Sequence, residues 1–112
     1  MVNKLKTSLV VQACVKIADK LSIPISVSKK GDSERGMILL RIINETNKSI
    51  FYRSKYDFNN KLSWQIAGKD RFIDVIEAQQ FIDNENNIDT DLWIIELEVI
   101  GQSFQIPDIF SF

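Results

Sequence analysis

Asp89-Thr90-Asp91-Leu92-Trp93-Ile94-Ile95-Glu96-Leu97-Glu98-Val99 carries the strongest strand pattern in the chain. At period two, Trp93, Ile95, Leu97 and Val99 share one face, and Leu92, Ile94, Glu96 and Glu98 share the other. The first face is apolar throughout. The second begins apolar and ends acidic. Such a strand is expected to sit centrally in a sheet at one end and to meet water or a cation at the other.

Immediately upstream, Asp70 is placed to cap a helix whose first turn holds Asp74, a position the helix dipole favours. Phe72, Val75, Ile76, Gln79, Phe81 and Ile82 give that helix an apolar side. The run Asp83-Asn84-Glu85-Asn86-Asn87 is a poor helix former and is expected to end it. Downstream, Gly101-Gln102 can turn the chain into a short last strand over 103–106, closed by Pro107. Ile109, Phe110 and Phe112 then make an apolar tail.

Farther upstream, Leu5, Leu9, Val10, Ala13, Cys14, Ile17, Ala18 and Leu21 trace the stripe of an amphipathic helix. It should stop near Ser22, because Pro24 disfavours helical geometry at Ile23. Residues 25–29 alternate as a short strand. Lys29-Lys30-Gly31-Asp32-Ser33-Glu34-Arg35-Gly36 reads as a hairpin connection, with Gly31-Asp32 suited to a tight turn at positive φ. Residues 37–43 are apolar on both faces apart from Arg41, as a central strand is. After the turn 44–48, residues 50–54 alternate again, so the second and third strands should form an antiparallel hairpin. Leu62, Trp64 and Ile66 mark a fourth strand, ended by Gly68. The order is α-β-β-β-β-α-β-(β). This is an α+β domain: a mainly antiparallel sheet of five or six strands with two helices packed on it. It is one domain over residues 1–112, with a C-terminal tail at 107–112.

The totals narrow the chemistry. The 112 residues include no histidine and one cysteine. Ser-His-Asp and Cys-His catalysis, His-ligated metals, zinc ribbons and Cys-x-x-Cys redox sites are therefore excluded. Cys14 lies in the helix stripe among apolar neighbours, where a core thiol is expected. No apolar run approaches the roughly 20 residues of a membrane span, and no secretory signal stands at the N-terminus, so a cytoplasmic protein is expected. The formal charge is −1, but it is unevenly spread. Residues 1–55 hold about 11 Lys and Arg against 4 acids, and residues 56–112 about 3 against 11. Halves that fold together, or a second copy, would neutralise that split.

The 89–98 stretch resembles the Asp-Pro-Asp-Leu-Trp-Val-Val-Glu-Ile-Glu signature of a family of small uncharacterised bacterial proteins, a domain of unknown function. The helix before it, Gly101 after it, Lys4-Leu5-Lys6, Lys30-Gly31-Asp32 and the strand opened by Gly36 match the family's other features. Thr90 and Lys30 stand where the family has Pro and Arg. The resemblance spans about residues 4–105. It implies a coherent fold and carries no assigned activity.

Three groups of residues could bear function. Asp89, Asp91, Glu96 and Glu98 are the densest carboxylates. However, Asp91 and Glu98 stand seven residues apart, more than about 20 Å along a strand, so one cation cannot join them. Asp89 and Asp91 are expected to shape the strand entry, with Glu96 and Glu98 paired to Arg or Lys on neighbouring strands. The basic residues Lys29, Lys30, Arg35, Arg53 and Lys55, with the loop glycine Gly31 and with Tyr52 and Tyr56 interleaved, suggest a phosphate ligand or single-stranded nucleic acid. Ile109, Phe110 and Phe112 suggest an interface. No metal or cofactor is expected. The leading expectation is a non-catalytic module that binds a protein partner, itself included as a homodimer. Binding of nucleic acid or a phosphate ligand through the basic half is the alternative.

Overall fold

A computed structural model describes residues 5–101 and 108–110. Two helices, α1 (Thr7–Lys20) and α2 (Val75–Ile88), accompany five strands: β1 (Ile25–Lys29), β2 (Ile38–Ile43), β3 (Ser49–Tyr56), β4 (Leu62–Ile66) and β5 (Trp93–Glu98). A 3-10 turn, Asp108–Phe110, follows. The sheet order is β1-β5-β2-β3-β4. Every neighbouring pair is antiparallel except β2 and β5, which run parallel.

The two faces of β5 explain its place between β1 and β2. Trp93, Ile95 and Leu97 join Val10, Val11, Cys14 and Ala18 of α1 in one core. Leu92 and Ile94, on the other face, join Leu39, Phe51 and Ala78 of α2. A strand apolar on both sides is stable only where helices cover both sides. The sheet is therefore the middle layer of three.

Five local expectations are corrected. First, residues 29–36 do not connect a hairpin, because β5 lies between β1 and β2. The loop instead crosses over the start of β5. Second, Gly31 is not at positive φ; the glycines that are, Gly68 and Gly101, lie elsewhere. Third, α2 is capped by Asp74, whose carboxylate accepts the Glu77 N–H at 2.8 Å, and not by Asp70. Residue 73 is still held to the sheet by paired backbone bonds with Ser49, so the helix can begin only after it. Fourth, α2 runs on through the Asp83–Asn87 stretch to Ile88. Buried Glu85 meets Arg53 of β3 there, and this tertiary contact outweighs weak local propensity. Fifth, the buried stripe of α1 is Thr7, Val10, Val11, Cys14 and Ala18, while Leu5, Leu9 and Leu21 are exposed. The last strand expected over 103–106 lies outside the described residues.

The hairpin of β2 and β3 forms as expected. Its turn and the one joining β3 to β4 are built alike. The Asn44 and Asp57 side chains each accept backbone N–H groups two and four residues on, and Asn47 and Asn60 adopt positive φ.

Candidate functional site

The basic glycine loop and the acidic strand entry form one structure. The Asp32 amide donates to the Asp91 carbonyl at 3.0 Å. The Trp93 indole Nε1 donates to the Asp32 carbonyl at 2.7 Å. The Lys29 ammonium donates to the Thr90 and Leu92 carbonyls, both at 2.8 Å. The glycines permit this close approach. A Cβ on Gly31 would stand 2.1 Å from the Asp91 carbonyl oxygen, and one on Gly36 would stand 2.6 Å from it. The carboxylates serve the same junction. Asp32 accepts the Arg35 N–H at 2.7 Å, and Asp89 accepts the Asp91 N–H at 3.0 Å. Lys29, Gly31, Asp89, Asp91 and Trp93 thus tie β5 to the loop.

The remaining basic residues are not gathered on one surface. Arg53 pairs with Glu85 beneath α2. Its strand neighbours Tyr52 and Tyr56 pack with the α1-side core. By strand alternation the cations and tyrosines of β3 therefore point to opposite faces. Lys55 and Arg35 line a small recess of ≈ 230 Å³ with Ser54 and Tyr56. Lys30 lies apart from them, beside α1. Glu96 pairs with Arg41 on the adjacent strand at 3.0 Å, and Arg41 Nε also donates to Ser49 Oγ at 2.8 Å. Glu98, with Glu96 and Ser26, lines a recess of ≈ 280 Å³ at the far end of β5.

Among the described residues, no group of three or more His, Cys, Asp or Glu could hold a metal ion. Burial pushes the Cys14 thiol from its ordinary 9.0 up to about 12, which suits a core thiol and not a nucleophile. Burial also raises the Tyr52 and Tyr56 phenols. Of the tail residues, Phe110 is fully buried in its own chain. Its carbonyl accepts the Trp64 indole N–H at 3.2 Å, and Ile109 packs beside it. Phe110 thus covers the core and is not presented to a partner. Phe112 lies outside the described residues.

One sizeable concavity was not evident in the sequence. A groove of ≈ 620 Å³ runs between α1 and β1, lined by Val11, Val15, Val27 and Trp93, with Ser8 and Gln12. Lys16 and Lys30 also line it. Its β1 residue, Val27, belongs to an edge strand with an exposed centre. Val27 is 41% exposed there. The sequence marks Val27 as one residue of a short alternating strand, but its position at an open edge follows from the strand order.

A three-layer α+β domain with this mixed sheet has solved counterparts. The chain resembles the crystal structure of a DUF1491 family protein from Caulobacter crescentus CB15, with a TM-score of 0.72 and 20% identity over 85% of this chain and 88% of that one. It resembles the solution structure of protein Atu0922 from A. tumefaciens equally well, with a TM-score of 0.72 and 20% identity over 96% and 92%. An NMR structure of a DUF1491 family protein from Caulobacter crescentus CB15 gives a TM-score of 0.73 and 18% identity over 89% and 90%. No curated protein matches the chain. The family described as "Protein of unknown function (DUF1491)" matches residues 5–104, and the chain belongs to it.

Proposed function

We infer that this protein is a non-catalytic interaction module of the cytoplasm, and that it docks a protein partner in the groove between α1 and β1. The observation that carries this reading is an apolar groove flanking a sheet edge that no other strand pairs with among the described residues. An exposed apolar concavity beside free strand backbone is a surface that proteins use for one another. Two of the reactive side chains serve the fold. Cys14 lies in the core, and the Asp89 carboxylate accepts the Asp91 N–H at the strand entry, where Asp91 itself takes part through its backbone. Among the described residues no helix is long and apolar enough to cross a membrane.

Native mass spectrometry of untagged protein, gently purified from its source, tests the reading. The expected spectrum contains a complex with a second protein chain that is absent for a folded Val15→Asp variant. A homodimer lost in the same variant assigns the groove to self-association. A complex that survives Val15→Asp, or a bare monomer throughout, contradicts docking at this groove.

A further inference from the structure

Among the described residues β1 closes the sheet, and its outward peptide groups have no strand beside them. The Glu98 N–H donates to the Pro24 carbonyl at 3.1 Å, and Ser26 stands opposite Glu96 two residues on. In an antiparallel ladder the intervening residues turn their N–H and C=O groups the other way. Ile25 and Val27 therefore face outward, and among the described residues no other segment hydrogen-bonds to them. Sheet edges are commonly guarded by bulges and lysines. Here the register shift between Val27 and Lys29 guards one end of the strand, and Ile25 to Val27 remain regular.

The groove sets the chemistry of what joins that edge. Val27 stands opposite Ile95 and so points to the α1 side. A strand laid beside β1 would send alternate side chains beneath the flank of α1, against Val11 and Val15. Those side chains must be apolar to displace water from that floor. Among the described residues, the charged ones lining the groove are Lys16 and Lys30, and no acidic residue lines it. A second copy of this edge would bring the same sign of charge, lysines against lysines, so like charges oppose self-pairing.

Resting on the interaction-module reading, we propose that the occupant is an extended segment of a partner protein, apolar at its centre and acidic at its ends, which adds to β1 as a further strand. Backbone hydrogen bonds to Ile25 and Val27 supply register. The groove takes the apolar side chains, and Lys16 and Lys30 select acidic flanks.

The test is a titration of the ¹⁵N-labelled full chain with three synthetic ten-residue peptides. One has alternating valines with Asp and Glu at both ends. The second replaces those acids with Lys. The third is the acidic peptide with alternate backbone amides methylated. The acidic peptide should shift the amide signals of residues 25–29 and of Val11 and Val15 saturably. Its affinity should fall about tenfold or more in the Lys16→Glu, Lys30→Glu double variant. The lysine and methylated peptides should leave those signals in place. Equal binding of the lysine peptide removes the charge selection, and equal binding of the methylated peptide removes strand addition. If no peptide binds while Val15→Asp still abolishes the native complex, the occupant chemistry is overturned and the docking reading stands. If neither effect is seen, both fall.

Discussion

The Trp93 indole and the Asp32 carbonyl meet at 2.7 Å, and the Asp32 amide returns a bond to the Asp91 carbonyl at 3.0 Å. The chain leaving β1 is thereby fastened across the start of β5. Because no Cβ fits at Gly31, the Gly31→Ala variant should lose about 2–3 kcal/mol of stability, in the range of overpacked cores. Gly101→Ala meets no neighbouring atom and should lose about 1 kcal/mol through its positive φ alone. Urea unfolding of the two variants beside the parent measures the difference.

Lys29 separates a structural ammonium from a ligand-binding one. Its bonds to the Thr90 and Leu92 carbonyls predict that Lys29→Met lowers stability by about 1–3 kcal/mol. Lys30→Met, at an exposed position, should change it by less than about 0.5 kcal/mol. Thermal unfolding reads both. Equal melting temperatures for the two variants would contradict the role given to Lys29.

The Arg53–Glu85 pair holds the second half of α2 to the sheet. Glu85→Gln should cost about 1–3 kcal/mol, with Arg53's partial exposure placing it toward the lower end. A double-mutant cycle with Arg53→Gln should give a coupling of about 0.5–2 kcal/mol. Amide exchange should quicken across residues 83–88 in either single variant.

The raised Cys14 value predicts a definite alkaline behaviour. The unfolded thiol loses its proton near 9.0 and the folded one near 12. Above 9.0 the unfolded state therefore binds fewer protons than the folded state, and stability falls as pH rises. The contribution is complete below 9.0 and is lost on the way to 12. Denaturant midpoints of the parent should drop more steeply between pH 8 and 11 than those of Cys14→Ala. Native protein at neutral pH should resist iodoacetamide until it is unfolded.

Legibility in the sequence differs from one feature to the next. The alternation from Leu92 to Val99 shows the two buried faces of β5, and its acidic end finds Arg41 across the parallel pair. The hairpin of β2 and β3 is local and is legible for that reason. Strand order is not, since a β5 inserted between β1 and β2 is decided by contacts distant in sequence. Residues 29–36 have the length and glycines of a hairpin connection whether or not another strand lies beneath. The edge position of Val27, and with it the groove, depends on that order. The helix ends follow the same rule. Asp70 and Asp74 are both suitable caps locally, and the bonds between Ile73 and Ser49 decide between them.

The most direct measurement places a photo-crosslinking amino acid at Val27 in living cells of the source organism, with Phe58, 96% exposed and remote in sequence, as the control position. Docking at the groove predicts a discrete crosslinked protein adduct from position 27, absent from position 58 and abolished by Val15→Asp. The same adducts from both positions, or none from position 27, would contradict it.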